Sequence, residues 1–301
     1  MAEIAGCLAM SHAPQLMLPP DQWHLLNTRS WDPLPERPEL RSLTLEQKQR
    51  QWDDCHRAIA ELRGSLAELA VDTVLMVGDD QHENFIDDGM PPFAIYMGEE
   101  VEASTALRYI GEDFSQKRRC YRVDASLARY LIEELMEAGF DPAYCTKTRF
   151  EGGLGHAFGR PLNFLLSDPG PAIVPVMVNT YHPPAPSPKR CIQFGRELAA
   201  AIQSYPEKRR VAVVASGGLS HTKIVEQLDA DFIQAMENAD LDYMAGMDPS
   251  ELVQGTSEIR NWIVVAAAAA AVGRRFELVH YKPLYRTANG VGCAMGFARW
   301  T

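Results

Sequence analysis

Short apolar runs alternate along this chain with longer segments in which apolar residues recur every three or four positions. The runs have the length and composition of buried strands and cover residues 4–8, 71–78, 91–97, 172–179 and 211–216. The longer segments have helical spacing and cover residues 44–70, 126–138 and 189–204. This alternation predicts an α/β fold, with a mainly parallel or mixed sheet flanked by helices.

The pattern continues to the end of the chain. Two strand-like segments, residues 276–281 and 290–297, follow an alanine-rich helix for which Thr256 or Ser257 is the expected N-cap. Near the start, the proline-rich residues 19–43 predict a long ordered loop. No repeat or linker interrupts the pattern, so we expect a single domain, residues 1–301, with its active site at the strand ends.

Composition narrows the classes of function. Apolar residues make up 46% of the chain and charged residues 23%, as in ordinary globular proteins. The net charge of −11 disfavours nucleic acid and anionic membranes as partners, because both bind clustered positive charge. The sequence shows no signal peptide, and no apolar segment approaches the roughly 18 residues of a membrane span, so we expect a cytoplasmic protein. The six cysteines are scattered and predict no disulfide framework or zinc knuckle.

Polar, chemically capable residues follow three of the predicted strands. The stretch 9–15, which contains His12, comes directly after the first, the run 79–85 (Asp-Asp-Gln-His-Glu-Asn-Phe) follows the second, and His221 follows residues 211–216 behind two glycines. In α/β proteins, reacting groups gather beyond the carboxyl ends of the strands. A solvated turn is the alternative for residues 79–85, and a capping or core role is the alternative for His12. The repetition at three strand ends favours an active site.

Two further residues have chemical potential. His156 lies among four glycines in residues 151–159, where the spacing does not give a dinucleotide-binding fingerprint. Such a backbone can approach a ligand closely and leave the imidazole in a pocket, with a structural turn as the alternative. Glu258 begins the alanine-rich helix, where a carboxylate is commonly a surface residue that complements the helix dipole. Close packing of that helix would hold Glu258 inside.

This set of residues suggests a metal enzyme. The zinc-hydrolase motif H-E-x-x-H, a phosphate-binding loop and a G-x-S-x-G nucleophile elbow are all absent from the sequence. Two histidines and one carboxylate with open positions fit the facial triad that binds non-heme Fe(II).

The ordered motifs resemble those of the class III extradiol ring-cleaving dioxygenases, and among these the catalytic beta subunits of the protocatechuate 4,5-dioxygenase type. The motifs are Ser11-His12-Ala13-Pro14, the edge from Asp80 to Phe85, Gly155-His156, Pro175-Val176 with Asn179-Thr180 and the proline loop to Arg190-Cys191, Gly217-Gly218-Leu219-Ser220-His221, and Glu258. Each is weak singly, but their order over nearly the whole chain is fairly specific.

The resemblance implies extradiol (meta) cleavage of a catechol-type substrate with O2 to a muconic semialdehyde-type product. It implies that His12 and Glu258 are Fe(II) ligands, that His221 is the acid–base histidine, and that His156 lines the substrate pocket. It also implies a homo-oligomer or a complex with a small alpha subunit. The alternatives are a metal-dependent hydrolase or lyase, or a metal-free binding protein, on the same scaffold.

The second iron histidine is where the sequence departs from the family pattern. The family has a motif like D-H-x-N-x-F, whereas Asp80 here is followed by Gln81. An alignment without gaps puts Gln81 at the ligand position, and a shift of one residue puts His82 there. We prefer His82, because an imidazole holds Fe(II) better than a neutral amide oxygen. The substrate is left open among protocatechuate, gallate, methylated gallates and other catechols, with Arg149, Arg160, Lys223 and Arg260 as possible carboxylate partners.

Overall fold

The computed structural model describes residues 1–26, 36–41 and 43–301 of the chain. The strands are β1 (Glu3–Met10), β2 (Thr73–Gly78), β3 (Phe93–Tyr96), β4 (Glu100–Ser104), β5 (Arg118–Arg122), β6 (Ala143–Cys145), β7 (Ala172–Val178), β8 (Arg210–Ser216), β9 (His221–Lys223), β10 (Phe276–Tyr285) and β11 (Val291–Trp300). The α-helices are α1 (Pro38–Arg41), α2 (Leu45–Glu68), α3 (Ala125–Glu137), α4 (His156–Leu165), α5 (Pro188–Ser204), α6 (Glu226–Glu237), α7 (Leu241–Gly246) and α8 (Ile259–Ala271). Short 3-10 helices cover Pro14–Leu16, Pro20–Leu26, Arg108–Ile110, Phe114–Lys117 and Gln254–Glu258.

The main sheet is mixed, and within the described ranges it contains nine strands. Its order is β10-β11-β1-β8-β2-β7-β3-β6, with β9 paired to β11, and β4 and β5 form a separate two-stranded sheet. The central strands β1, β8, β2 and β7 run parallel, while β11 and β3 run antiparallel to their neighbours β1 and β7. The predicted α/β fold with a mixed sheet is therefore confirmed.

Helices cover both faces of the sheet because successive side chains of a strand point to opposite sides. In β2, Leu75 and Val77 pack into the core on the side of α3, α5 and α8. Val74 and Met76 pack on the side of α2 and α4. A strand buried on both faces has an uninterrupted apolar sequence, which is why the central strands could be predicted from short apolar runs.

Helix α2 begins where the sequence predicted. The Thr44 side chain accepts a hydrogen bond from the Gln47 backbone nitrogen, and the Gln47 side chain accepts one from the Thr44 backbone nitrogen. This reciprocal capping box satisfies two backbone donors at the start of the helix. The predicted loop over residues 19–43 is only partly described, since residues 27–35 and 42 lie outside the described residues; its described parts include two helical segments, Pro20–Leu26 and α1.

One local prediction was wrong, and the start of one helix was not predicted. Neither Thr256 nor Ser257 caps α8, because both lie within the 3-10 helix that leads directly into it. The glycine-rich stretch was not assigned to a helix, yet His156 is the first residue of α4, with Gly155 at its N-cap. Among the described residues, no helix combines the length and the apolar character that crossing a membrane requires.

Candidate metal centre and active site

The carboxyl ends of three adjacent parallel strands meet at one edge of the sheet. In the register of β1 and β8, Met10 pairs with Ser216, and in that of β2 and β8, Val77 pairs with Ala215. The residues that follow these strands are therefore neighbours. Glu258 reaches the same edge from the 3-10 helix before α8 and is 1% exposed.

The ring of His12 has a defined orientation and protonation. The Ser216 hydroxyl donates to the Ala157 carbonyl, so its oxygen accepts a hydrogen bond from Nδ1–H of His12, at 2.8 Å. The Nε2 atom is then left unprotonated, 3.6 Å from Oε1 of Glu258. Burial lowers the pKa of His12 to about 3, against the opposing effect of the Glu258 charge. A neutral imidazole thus turns its free lone pair toward a carboxylate.

Glu258 is held in its charged form. Its Oε2 accepts a hydrogen bond from the Gly218 backbone nitrogen at 2.9 Å. Burial alone would raise the pKa of Glu258, but the facing His221 and His12 side chains and this hydrogen bond lower it to about 2. The preceding Gly217 has a φ of +148°, and a Cβ there would lie 2.8 Å from Cβ of Glu258. Glycine is needed here because the backbone passes directly against the glutamate.

Asp79, which the sequence interpretation did not select, is a second buried carboxylate at this edge. It is fully buried, and burial together with the Glu258 charge raises its pKa well above the ordinary value. The Gln81 amide nitrogen lies between the two acids, 3.1 Å from Oδ2 of Asp79 and 3.3 Å from Oε1 of Glu258. The amide donor contacts an oxygen of each carboxylate, and a cation would be attracted to the same position.

These residues fit a divalent metal. His12, Asp79 and Glu258 each offer a ligand atom, and these atoms lie within 4.8 Å of one another. An imidazole lone pair that faces a carboxylate is repulsive until a cation lies between them. The donor set of one imidazole and two carboxylates is one that first-row divalent metals accept.

The His82 side chain lies elsewhere. Its backbone is left-handed, with a φ of +62°, its Nε2 lies 3.2 Å from Asp87, and its ring stacks on that of His182 at 3.5 Å. The turn that carries it is fixed by Asp80, whose carboxylate accepts hydrogen bonds from the backbone nitrogens of residues 83, 84 and 85. Of the two residues considered for the second ligand position, the structure brings Gln81 to the cluster and turns His82 outward.

His221 faces the same carboxylate from the other side. Its Nε2 lies 3.3 Å from Oε1 of Glu258, and its Nδ1 donates to the Leu219 carbonyl at 2.9 Å. Thr256, the expected helix cap, instead bonds the His221 backbone through its hydroxyl, at 3.0 Å to the nitrogen and 2.8 Å to the oxygen. Burial would lower the pKa of His221, but the neighbouring Cys293 and Glu258 side chains favour the charged ring and raise its pKa well above the ordinary value.

His156 lies on the far side of His12. The two rings meet edge to face, with their centroids 5.1 Å apart. Oε1 of Glu83 accepts hydrogen bonds from the His156 backbone nitrogen and from Nδ1, at 3.0 and 2.8 Å. Burial would raise the pKa of Glu83, but His156 and Arg160 lower it to about 2. Glu83 thus orients His156, a role that could not be assigned to Glu83 from its place in the polar run 79–85.

A cavity of about 370 Å³ opens onto His12, Gln81, His156, His221 and Glu258. Arg160 and Arg286 also line it, and the buried Nε atom of each has no hydrogen-bond partner among the described residues. Of the other cations considered from sequence, Arg260 is buried against the carbonyls of Pro186 and Leu252, and Lys223 and Arg149 are not among the lining residues. Arg286 could not be selected from sequence, because nothing in its neighbourhood marks it as part of a site.

The family match and two curated relatives agree on the type of enzyme. Residues 37–296 match the family described as the catalytic LigB subunit of aromatic ring-opening dioxygenase. A 2,3-dihydroxyphenylpropionate/2,3-dihydroxicinnamic acid 1,2-dioxygenase of Klebsiella pneumoniae is 24% identical over 82% of this chain and 92% of its own length. A gallate dioxygenase of Pseudomonas putida is 29% identical over 53% of this chain and 49% of its own length. The crystal structure of the uncharacterized protein JW3007 from Escherichia coli K12 shares the fold, with a TM-score of 0.54 and 13% identity over 98% of both chains.

Proposed function

We propose that Fe(II) held by His12 and Glu258 carries out the extradiol chemistry of this chain. The chain belongs to the family of catalytic LigB subunits of aromatic ring-opening dioxygenases and cleaves catechol-type rings. The family is metal-dependent. The observation that supports the site most directly is the 3.6 Å approach of the unprotonated Nε2 of His12 to the Glu258 carboxylate, at the wall of the cavity. We further propose that residues 1–301 act as one catalytic domain.

The metal, when bound, supplies Lewis acidity toward the two phenolic oxygens of the substrate and a docking position for O2. His12 contributes a neutral nitrogen donor whose orientation Ser216 fixes, and Glu258 contributes a charged oxygen donor that Gly218 fixes. Both side chains are nearly fully buried, so bulk water does not compete for them.

His221 is the acid–base group of the proposed reaction. Its Nδ1 is committed to the Leu219 carbonyl, so Nε2, which faces Glu258 and the cavity, is the atom that moves protons. It accepts a phenolic proton as the substrate binds and returns a proton as the ring opens. An imidazole suits both proton steps, because its unperturbed pKa of ~6.5 lies near neutrality.

The remaining wall of the cavity would bind the ring substituents. His156 borders the ring pocket beside His12, where Glu83 holds its orientation. Arg160 and Arg286 carry buried guanidinium nitrogens without partners and suit an anionic substituent such as a carboxylate. The Arg160 side chain also donates to the His12 carbonyl at 3.1 Å, so it supports the metal edge as well.

The test is anaerobic loading with Fe(II), followed by O2 uptake with catechol, protocatechuate, gallate and methylated gallates. We expect one O2 consumed per ring opened, and no reaction without the metal. The matched control is Glu258→Gln, which keeps the side-chain shape and should bind the metal weakly. Product formation without O2 uptake would indicate a hydrolase or lyase instead, and full activity of metal-free protein would refute the proposed centre.

A further inference from the structure

The structure leaves open which group completes the metal site, since His12 and Glu258 supply only two ligands. The position of the family's second iron histidine holds Gln81, and His82 is turned toward Asp87 and His182. Among the described residues, Asp79 is the group whose ligand atom lies within 4.8 Å of those of both His12 and Glu258. We infer that the Asp79 carboxylate replaces the missing imidazole, so that the metal is held by one histidine and two carboxylates.

The position of Asp79 is built into the fold. It follows the last residue of β2, whose partner β8 ends beside it, and it is fully buried. Its Oδ1 lies 3.5 Å from the Asn261 amide nitrogen, and that amide also donates to the Ser216 carbonyl at 2.8 Å. The carboxylate is therefore fixed on one side, and its Oδ2, which accepts from the Gln81 amide, faces the cluster.

Gln81 has a different role in this arrangement. Its amide nitrogen contacts both Asp79 and Glu258 and so joins the two carboxylates in the absence of a metal. A cation held by those oxygens would replace both contacts of the amide. Gln81 is thus a positioning residue for the metal-free site, and its removal should leave metal binding largely intact.

The ligand set also predicts metal preference. A site with two carboxylates and one imidazole is richer in oxygen than a site with two imidazoles, and it has one more negative charge. Carboxylates suit Mn(II), whereas imidazole suits Zn(II) and Ni(II). The ratio of Zn(II) affinity to Mn(II) affinity should therefore be smaller for the wild type than for Gln81→His, because that variant places an imidazole at this edge.

The inference rests on the proposed metal centre, and the experiment distinguishes a failure of the Asp79 inference from a failure of the centre itself. Dissociation constants for Mn(II) and Zn(II) alone are measured by calorimetry on the full chain at fixed pH, for the wild type and for Asp79→Asn, Glu258→Gln, Gln81→Ala, Gln81→His and His82→Ala. Asparagine preserves the shape of Asp79 and can still accept from Gln81. Thermal unfolding of each metal-free variant shows that it is folded, and Asp79→Ala provides a second substitution if Asp79→Asn is not.

We expect Asp79→Asn and Glu258→Gln each to weaken Mn(II) binding by more than ~100-fold, since losing even a hydrogen-bonded neighbour of a ligand costs ~10–100-fold. His82→Ala and Gln81→Ala should change it by less than ~3-fold, and Gln81→His should shift preference toward Zn(II). If Glu258→Gln loses the metal and Asp79→Asn retains it, the inference is wrong while the proposed centre stands. Loss of metal in His82→Ala would also overturn the inference, and retention in Glu258→Gln would overturn the centre itself.

Discussion

The position of His221 depends on the absence of a side chain at Gly255. A Cβ at that residue would lie 1.9 Å from Cδ2 and 2.3 Å from Nε2 of His221, whereas ordinary contacts begin near 3.4 Å. In Gly255→Ala the ring must therefore retreat by at least ~1.5 Å, because the backbone of His221 is tied to Thr256 on both its nitrogen and its oxygen. Misplacement of a reacting group by about 1 Å can cost ~10²-fold in rate.

We predict that Gly255→Ala lowers kcat by at least ~10²-fold while the metal dissociation constant changes little, since the three atoms nearest to the added methyl group all belong to His221 and not to His12 or Glu258. The assay is steady-state O2 uptake with the Fe(II)-loaded protein, together with calorimetric metal binding. Gly246→Ala is the control, because its Cβ would meet nothing within 4 Å. A Gly255→Ala enzyme with wild-type kcat would refute the assignment of His221 as the acid–base group.

Four other predictions concern the surrounding side chains. His221→Ala should keep the metal while kcat falls ~10²–10⁴-fold, and loss of metal would make His221 a ligand. Ser216→Ala should weaken metal binding ~10–100-fold, because nothing then fixes Nδ1–H of His12; an unchanged dissociation constant would contradict this tautomer. Arg286→Met should raise KM for protocatechuate more than for catechol, and equal changes would exclude a carboxylate contact. The pKa of Glu83 is about 2 in the fold against 4.5 unfolded, so the charged Glu83 stabilises the fold above pH ~4.5, and this contribution is lost as the pH falls toward 2. Parallel acid-unfolding profiles of Glu83→Gln and the wild type would exclude this contribution.

The fold could be predicted from sequence because its central strands are buried on both faces. Each such strand is a short, uninterrupted apolar run, and helices of clear periodicity separate several of them. The same logic placed His12 and His221 correctly at strand ends. The start of α4 was missed because glycines at residues 152, 153 and 155 favour a turn locally. The structure shows that Gly155 is required beside Glu83, since a Cβ there would lie 1.7 Å from its Oε2.

Other parts of the site had no local signal. Asp79 looks in sequence like one of two turn aspartates, and only the pairing of β2 with β8 shows that it is buried while Asp80 binds backbone nitrogens. Arg286 lies beyond the end of β10, far along the chain from every motif, and it reaches the cavity through the sheet order β10-β11-β1. Contacts of this kind depend on which strands become neighbours, and hydrophobic periodicity does not encode that.

The preference for His82 as a metal ligand rested on residue type alone. Imidazole is the better donor for Fe(II), but donor quality does not determine the direction in which a side chain points. Here the Asp80 carboxylate binds three successive backbone nitrogens, which closes the turn tightly and places His82 in the left-handed region, at a φ of +62°. That geometry turns Gln81 toward the two buried acids and His82 toward His182. Since Asp80 fixes this turn, we expect that moving His82 into the site would break those hydrogen bonds, whereas the buried Asp79 carboxylate already lies at the strand end.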